Sequence, residues 1–202
     1  MKKVAGLWLI GMAVGAAYAG PQAFDYKDPK GVNNIVFQLD APVESINGTA
    51  NGVSGSVQFD PDQPEALSGW IAIATASMHV PNPVMKDHLL SEGWMHAEKY
   101  PEMRFEVAGV DQVKTTERGI EAQVRGRLTV RGVTLDLEVP VRINYLKDKL
   151  SSRSPQLKGD LLVIRSAFSI KRSDFDINPK APQDKVSDEI QITLSVAGAA
   201  RH

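Results

Sequence analysis

Apolar and polar residues alternate with a period of two along much of the chain. Between residues 120 and 130 every second position is Ile, Ala, Val, Gly or Leu, and the positions between them are Glu, Gln, Arg or Thr. The same alternation runs from residue 133 to residue 145, after the pair Arg131-Gly132. A strand collects alternate residues on one face, whereas a helix would scatter them around its axis. The pattern therefore predicts two long strands joined as an antiparallel hairpin.

Shorter strand-like segments occur on both sides of this hairpin, at residues 35–40, 44–51, 53–59, 70–78, 104–108, 161–170 and 190–197. Few helices separate these segments, and a succession of this kind is typical of an all-β antiparallel meander or barrel. One short helical insert is predicted near residues 83–95, where Val84, His88 and either Leu89 or Leu90 recur at helical spacing. The segments at residues 147–159 and 178–188 are predicted to be irregular connections.

Long strands with one apolar face each need a shared interior. A barrel of about eight strands encloses room for side chains or for one small ligand. Because the strands are long, the interior would be a tunnel, and an apolar tunnel suits an elongated apolar molecule. The alternative is a barrel packed solid by its own side chains, whose surface would bind a protein partner. The pattern alone leaves both open.

The candidates for contact with a ligand are apolar residues of the predicted strands and of the helical insert. They are Phe37, Val57, Phe59, Ile71, Ile73, Leu89, Trp94, Phe105, Val107, Leu128, Val130, Leu135, Leu137 and Val139.

Composition narrows the class of protein. A chain of 202 residues with 43% apolar and 23% charged residues is expected to form one globular domain. A formal charge of −1 argues against a nucleic-acid partner, because neutralising phosphates needs a clustered basic excess. The chain has no Cys, which excludes disulfides, a thiol nucleophile and a lipid-modified N-terminal Cys. No stretch after residue 20 has the ~18 apolar residues of a membrane span, so stable membrane insertion is not expected.

The first nineteen residues have the pattern of a signal peptide. Lys2 and Lys3 precede an apolar run, and Ala17-Tyr18-Ala19 is a small-x-small cleavage site. We expect cleavage before Gly20, which leaves residues 20–202 as the barrel domain in the periplasm or outside the cell. The alternative for this segment is an N-terminal membrane anchor.

Residues capable of catalysis or metal binding are sparse. His79, His88 and His96 lie eight or nine residues apart, which is not the i, i+4 spacing of a helical zinc pair. The closely spaced aspartates near residues 60 and 174 fit turn chemistry better than acid–base catalysis. The sequence motifs do not combine a nucleophile, a base and an orienting group in the arrangement of a known catalytic site. The sequence therefore predicts a protein that is not an enzyme and that uses no metal or cofactor.

Several short motifs, spread through the chain, resemble those of one known family in their order. They are Lys86-Asp-His-Leu-Leu90 with Trp94, Lys99-Tyr-Pro101, Met103-Arg-Phe105, the segment Gly126-Arg-Leu-Thr-Val-Arg-Gly-Val-Thr134, Arg172-Ser-Asp-Phe175 and Asp188-Glu-Ile190. Together they resemble the signature of the YceI-like family over residues 35–196.

The resemblance implies an elongated, eight-stranded, antiparallel lipocalin-like barrel. It also implies a ligand of the polyisoprenoid, quinone or fatty-amide type, or another long-chain amphiphilic lipid, held in the tunnel of a periplasmic protein. Some members of the family are homodimers, and no catalytic residues carry over.

The chain departs from the family pattern at a few positions. The usual first strand carries histidines, and residues 33–44 contain none here. Lys86 stands where Arg is usual, and Lys171 and Asp176 stand where Asn and Gly are usual. These changes concern the polar end of the tunnel, so they bear on the head group of the ligand.

Overall fold

The computed structural model describes residues 20–202, and the predicted signal peptide lies outside this range. Most of the described chain forms one antiparallel sheet. Its strands are β1 (Gln22–Asp25), β2 (Asn34–Asp40), β3 (Ser45–Ala50), β4 (Val53–Phe59), β5 (Ser68–Ala74), β6 (Met78–His79), β7 (Glu102–Thr116), β8 (Gly119–Val130), β9 (Val133–Leu146), β10 (Gly159–Lys171) and β11 (Glu189–Arg201). Two short helices accompany them, α1 (Pro83–Leu90) and α2 (Leu150–Arg153).

These strands occupy eight positions around a closed barrel. β1 and β2 both pair with β11, and they share one position. β1 pairs with β4 while β2 pairs with β3, so β3 and β4 share the next position. In the same way β5 pairs with β4 and β6 pairs with β3. The predicted eight-stranded antiparallel barrel is therefore confirmed. Three neighbouring positions are each occupied by two short strands instead of one long strand.

The hairpin of β8 and β9 agrees with the alternation in the sequence. Val130 pairs with Val133, and the two residues between them, Arg131 and Gly132, both have positive φ. A two-residue turn of this kind matches the twist of the flanking strands. A Cβ on Gly132 would also lie 2.7 Å from the ring of Tyr100, so glycine is required there for two reasons.

β7 is much longer than the predicted segment at residues 104–108. Its pairing with β8 shifts between Val107 and Gly109 and again between Asp111 and Lys114. Each bulge adds a residue to one strand and changes the phase of its alternation. The second half of β7 therefore has no regular period, which is why the sequence pattern missed it.

The helical insert is shorter than predicted, and the connection at residues 147–159 is more ordered. α1 begins after Asn82, whose side chain accepts a hydrogen bond from the N–H of Met85, and it ends at Leu90. Residues 91–100 continue as turns. The connection contains α2, which buries Leu150 against the barrel. Neither helix has the length and apolar character that a transmembrane helix needs, and no other helix in residues 20–202 has them.

The barrel wall divides between β9 and β10. The two strands pair from Leu146 with Leu161 as far as Val141 with Ser166. Beyond this point β9 continues beside β8 alone and β10 continues beside β11 alone. Pro140, which has no N–H to donate, lies where the strands separate, and its carbonyl accepts a hydrogen bond of 2.6 Å from the hydroxyl of Ser166.

Two groups of buried side chains lie at opposite ends of the barrel. The first, called the Tyr145 end, includes Phe24, Tyr26, Phe59, Leu162 and the partly buried Tyr145. The second, called the α1 end, is formed around Phe37, Val80, Met95, Phe175 and Ile177, and residues of α1 pack against it.

Candidate functional site

An apolar cavity of about 360 Å³ runs inside the barrel. Nearly all strands contribute inward-facing aliphatic, aromatic or methionine side chains to its wall. Five polar or charged residues also line it, namely Glu44, His88, Arg104, Ser166 and Arg172. Its volume lies within the range of roughly 300–1,000 Å³ that is usual for small-molecule sites. Protein interiors are otherwise close-packed, so a void of this size argues against the alternative of a barrel packed solid by its own side chains.

The Tyr145 end of the cavity is closed by packed aromatic side chains. Phe24 meets the ring of Tyr145 edge to face at 6.3 Å, and Phe59 lies at the same centroid distance from it. The hydroxyl of Tyr145 donates a hydrogen bond of 2.6 Å to the buried carboxylate of Asp160. Desolvation, followed by this hydrogen bond, raises the pKa of Tyr145 to about 12. The phenol of Tyr145 is therefore neutral and hydrogen-bonded, and its packed ring closes this end of the cavity.

The α1 end contains the mouth of the cavity. The lining residues Glu44 and His88 are exposed there, and Leu89 and Val186 are half-buried. The turn between β2 and β3 lies next to the connection that carries Val186, because the N–H of Val43 donates to the carbonyl of Asp184 at 2.9 Å. A ligand would therefore enter between this turn, α1 and the connection at residues 178–188.

Arg131, in the β8–β9 turn, holds the wall of the mouth in place. Its Nε donates to the carbonyl of Trp94 at 2.6 Å and its Nη2 to the carbonyl of Glu92 at 3.0 Å. Its Nη1 pairs with the carboxylate of Asp176 at 2.6 Å. The guanidinium thus ties together two segments that no strand pairing connects, and it positions Trp94 at the cavity. The alternation in the sequence marks Arg131 only as part of the break between β8 and β9 and gives no sign of these contacts.

Arg172 is the charged residue buried most deeply in the cavity wall, with 1% of its surface exposed. Its Nη1 donates to the carbonyls of Ile177, at 2.7 Å, and Asn178, and its Nε donates to the carbonyl of Ser187 at 3.3 Å. Its guanidinium carbon lies 5.9 Å from the ring centroid of Trp94. These contacts fold the connection after β10 over the α1 end. Alternation could not identify Arg172, because it follows the last residue of its strand.

Eleven of the fourteen candidate ligand contacts line the cavity. They are Phe37, Val57, Ile71, Ile73, Leu89, Trp94, Phe105, Val107, Leu128, Val130 and Val139. Their contact with a ligand stays a prediction.

The other three candidates, Phe59, Leu135 and Leu137, do not line the cavity. Phe59 lies beyond its closed end, packed beside Tyr145. Leu135 and Leu137 lie on the part of β9 that has separated from β10. They face a second, more open space that lies where the wall divides. We call this space the side recess, and Ile170 and Phe175 also line it. The alternation identified their face correctly, but it could not show that the wall divides beside them.

Within residues 20–202, one group of side chains has the composition of a metal site. Asp148, Asp160 and His202 each place a ligand atom within 4.8 Å of the others. The carboxylate of Asp160 already accepts hydrogen bonds from Tyr145 and from the N–H of Asp148, and His202 lies 3.2 Å from it. Burial raises the pKa of Asp160, but these hydrogen bonds outweigh burial and lower it below its ordinary value. The three residues lie close together because the ionised carboxylate of Asp160 joins them in one hydrogen-bond network, and this explains the group without a metal ion.

Relatives of known sequence match nearly the whole chain. A UPF0312 protein of Ectopseudomonas mendocina is 27% identical over 196 residues, which cover 94% of this chain and 96% of that protein. A UPF0312 protein of Yersinia pestis is 29% identical over 200 residues, which cover 94% of this chain and 95% of that protein.

Solved structures share the fold. BcnA of Burkholderia cenocepacia superimposes with a TM-score of 0.67 at 21% identity, covering 82% of this chain and 95% of that one. A polyisoprenoid binding domain from Saccharophagus degradans, implicated in plant cell wall breakdown, has a TM-score of 0.62 at 10% identity, covering 89% of this chain and 98% of that one. At these identities the similarity shows the architecture alone. The sequence profile of the YceI-like domain matches residues 29–197, and the chain therefore belongs to the YceI-like family.

Proposed function

We propose that the protein is a periplasmic carrier that holds one long apolar lipid, of the polyisoprenoid, quinone or fatty-amide type, without reacting on it. The observation that carries this proposal is the internal cavity, which is apolar along its length, closed at the Tyr145 end and open at the α1 end. Burying the chain of a lipid there removes apolar surface from water at about 25 cal/mol per Å².

The shape of the cavity supports an elongated ligand that enters tail first. Aromatic side chains close the far end, and polar lining residues such as His88 and Arg172 lie near the mouth. An amphiphile inserted tail first would place its apolar chain against the wall and its polar head among these residues. The name of the Saccharophagus degradans domain, a polyisoprenoid binding domain of the same fold, is consistent with such a ligand.

Export is the second part of the proposal, and it rests on the sequence pattern of residues 1–19. In the periplasm, a carrier with an internal apolar cavity would move a lipid through water between membranes or between proteins. Sequestration requires no cofactor, and the ring nitrogens and carboxylates near the mouth would serve to orient the head.

Native mass spectrometry of the protein purified from its own periplasm tests the proposal. We expect a mass in excess of the mature chain that collapses to the chain mass on denaturation, and an extract that contains a lipid. The stripped and refolded protein should then take up geranylgeraniol at micromolar concentration. A clean chain mass, together with no uptake of geranylgeraniol, decylubiquinone or oleamide, would contradict the carrier and favour a ligand-free interaction module.

A further inference from the structure

Arg172 carries a buried donor that the protein leaves unused. Its Nη1 and Nε are taken by carbonyls of the connection after β10. Its Nη2 is buried, and no group among the described residues accepts a hydrogen bond from it. The nearest acidic oxygen is Oδ1 of Asp188, at 4.0 Å, which is beyond hydrogen-bond distance. Because Arg172 lines the cavity, a ligand there can supply the missing acceptor.

An unused donor of this kind is unusual. Buried polar groups in folded proteins nearly always have a partner, and an unsatisfied one is destabilising. The remaining contacts of Arg172 fix its guanidinium rigidly, so the side chain cannot turn Nη2 to solvent without breaking three hydrogen bonds to carbonyl groups. A preorganised donor at the polar end of an apolar cavity is the usual means of orienting a ligand.

The charges around Arg172 indicate which kind of acceptor fits. The oxygens of Asp188 accept hydrogen bonds from the N–H of Ser173 at 2.9 Å and from its hydroxyl at 2.8 Å. Burial raises the pKa of Asp188, but these hydrogen bonds and the charge of Arg172 lower it below its ordinary value. Asp188 is therefore ionised and is the carboxylate that balances the buried charge of Arg172, at 4.0 Å, while Lys171, whose charge also acts on Asp188, is exposed to solvent. A phosphate head would bring an unbalanced negative charge into the wall, which is costly to bury, whereas a carbonyl oxygen would not.

We infer that Arg172 binds the head of the lipid, with Nη2 donating a hydrogen bond to an uncharged oxygen, such as the carbonyl of a ketone, quinone or amide. This inference rests on the proposed function, because it needs the lipid tail to occupy the cavity. It adds the chemical class of the head group and the residue that selects it.

Three probes with related isoprenoid tails and different heads test the inference. They are geranylgeranylacetone, which has a ketone, geranylgeranyl phosphate, and phytane, which has no polar atom. We expect the stripped protein to bind the ketone about tenfold more tightly than phytane, as a hydrogen bond to a charged donor allows. The ketone should also bind more tightly than the phosphate. Dissociation constants can be measured by displacement of a fluorescent fatty probe.

The variant Asp188→Asn tests the charge balance without removing Arg172. The amide keeps an oxygen for the N–H of Ser173, so the turn should stay intact. Arg172 would then be an uncompensated positive charge, and the affinity for the phosphate relative to the ketone should rise about tenfold. Asp174→Asn is the matched control, because this carboxylate is exposed in the same turn and should change neither affinity.

The outcomes separate this inference from the proposed function. Equal affinities for all three probes would overturn the role of Arg172 and leave the carrier intact. A preference for phosphate in the unaltered protein, or an unchanged preference in Asp188→Asn, would overturn the argument from charge. If none of the probes binds, the proposed function fails and the inference fails with it.

Discussion

Filling the cavity with a larger side chain should displace the ligand at little cost in stability. Val139 is suited to this test because its side chain is buried, lines the cavity and faces Val124 across the β8–β9 ladder. Val139→Phe adds about four carbon atoms, whose burial at ~0.8 kcal/mol per methylene group is worth about 3 kcal/mol. This gain offsets the lost freedom of the ring and the small shifts needed to seat it, and because the ring enters empty space, the net loss of ~1–3 kcal/mol that overpacking a close-packed core causes is not expected. We therefore expect a melting temperature within about 3 °C of that of the ligand-free parent.

Val196→Phe is the matched control, because it makes the same exchange in the close-packed side chains of the Tyr145 end. Val196 is 1% exposed and does not line the cavity. Overpacking should cost ~1–3 kcal/mol there, and at about 2–4 °C per kcal/mol for a domain of this size the melting temperature should fall by several degrees. Uptake of geranylgeraniol should be reduced in Val139→Phe and retained in Val196→Phe.

Calorimetric melting of the stripped proteins measures the cost in stability, and the displacement assay measures lipid binding. If Val139→Phe loses as much stability as Val196→Phe, the space beside Val139 does not exist in solution. If Val139→Phe is stable but binds lipid as tightly as the parent, the ligand lies elsewhere. Either result would refute the reasoning from cavity to ligand.

Three further predictions concern other parts of the chain. Burial raises the pKa of Asp160, but the hydrogen bonds that the carboxylate accepts lower this pKa overall. The contribution of Asp160 to stability is therefore present above pH ~3.9, the pKa of an unfolded Asp, and is lost as the pH falls below that value. Asp160→Asn should therefore lower the melting temperature at pH 7 and flatten its decline in acid, and parallel curves for variant and parent would contradict this. Gly48→Ala should be strongly destabilising in urea unfolding, because its Cβ would lie 2.1 Å from the ring of Phe37, whereas Gly93→Ala, which meets nothing within 4 Å, should be nearly neutral. Amino-terminal sequencing of the exported protein should begin at Gly20, and a membrane-bound product that starts at Met1 would exclude cleavage.

The regular parts of the barrel could be predicted from the sequence because their alternation is unbroken. Residues 120–130 and 133–145 alternate without exception, and both strands and the turn between them agree with the structure. β1, which has only four residues, was missed because so short a segment shows no period. The second half of β7 was missed because its bulges change the phase of the pattern.

The candidate site was predictable where it is made of strand faces and unpredictable where it is made of tertiary contacts. Alternation placed Val57, Leu128 and Val139 on the inner face, where the structure has them. Arg131 and Arg172 act through carbonyl groups of irregular segments outside their own strands, and no local period signals such contacts. Pro140 did carry a usable signal, because a proline within a long strand indicates an edge, and it marks the place where β9 leaves β10.

The division of the wall between β9 and β10 gives the two ends of the barrel different resistance to local unfolding. From Val141 to Ile143, β9 is held by ladders to both β8 and β10, whereas past Pro140 β9 pairs only with β8 and β10 only with β11. Amide protons of β9 and β10 past Pro140 should accordingly exchange with solvent through small local openings, while those of the doubly paired segment near Tyr145 should exchange only in larger unfolding events. In the proposed carrier, the wall could therefore open locally between β9 and β10 to admit or release a lipid while the doubly paired part of the barrel stays folded.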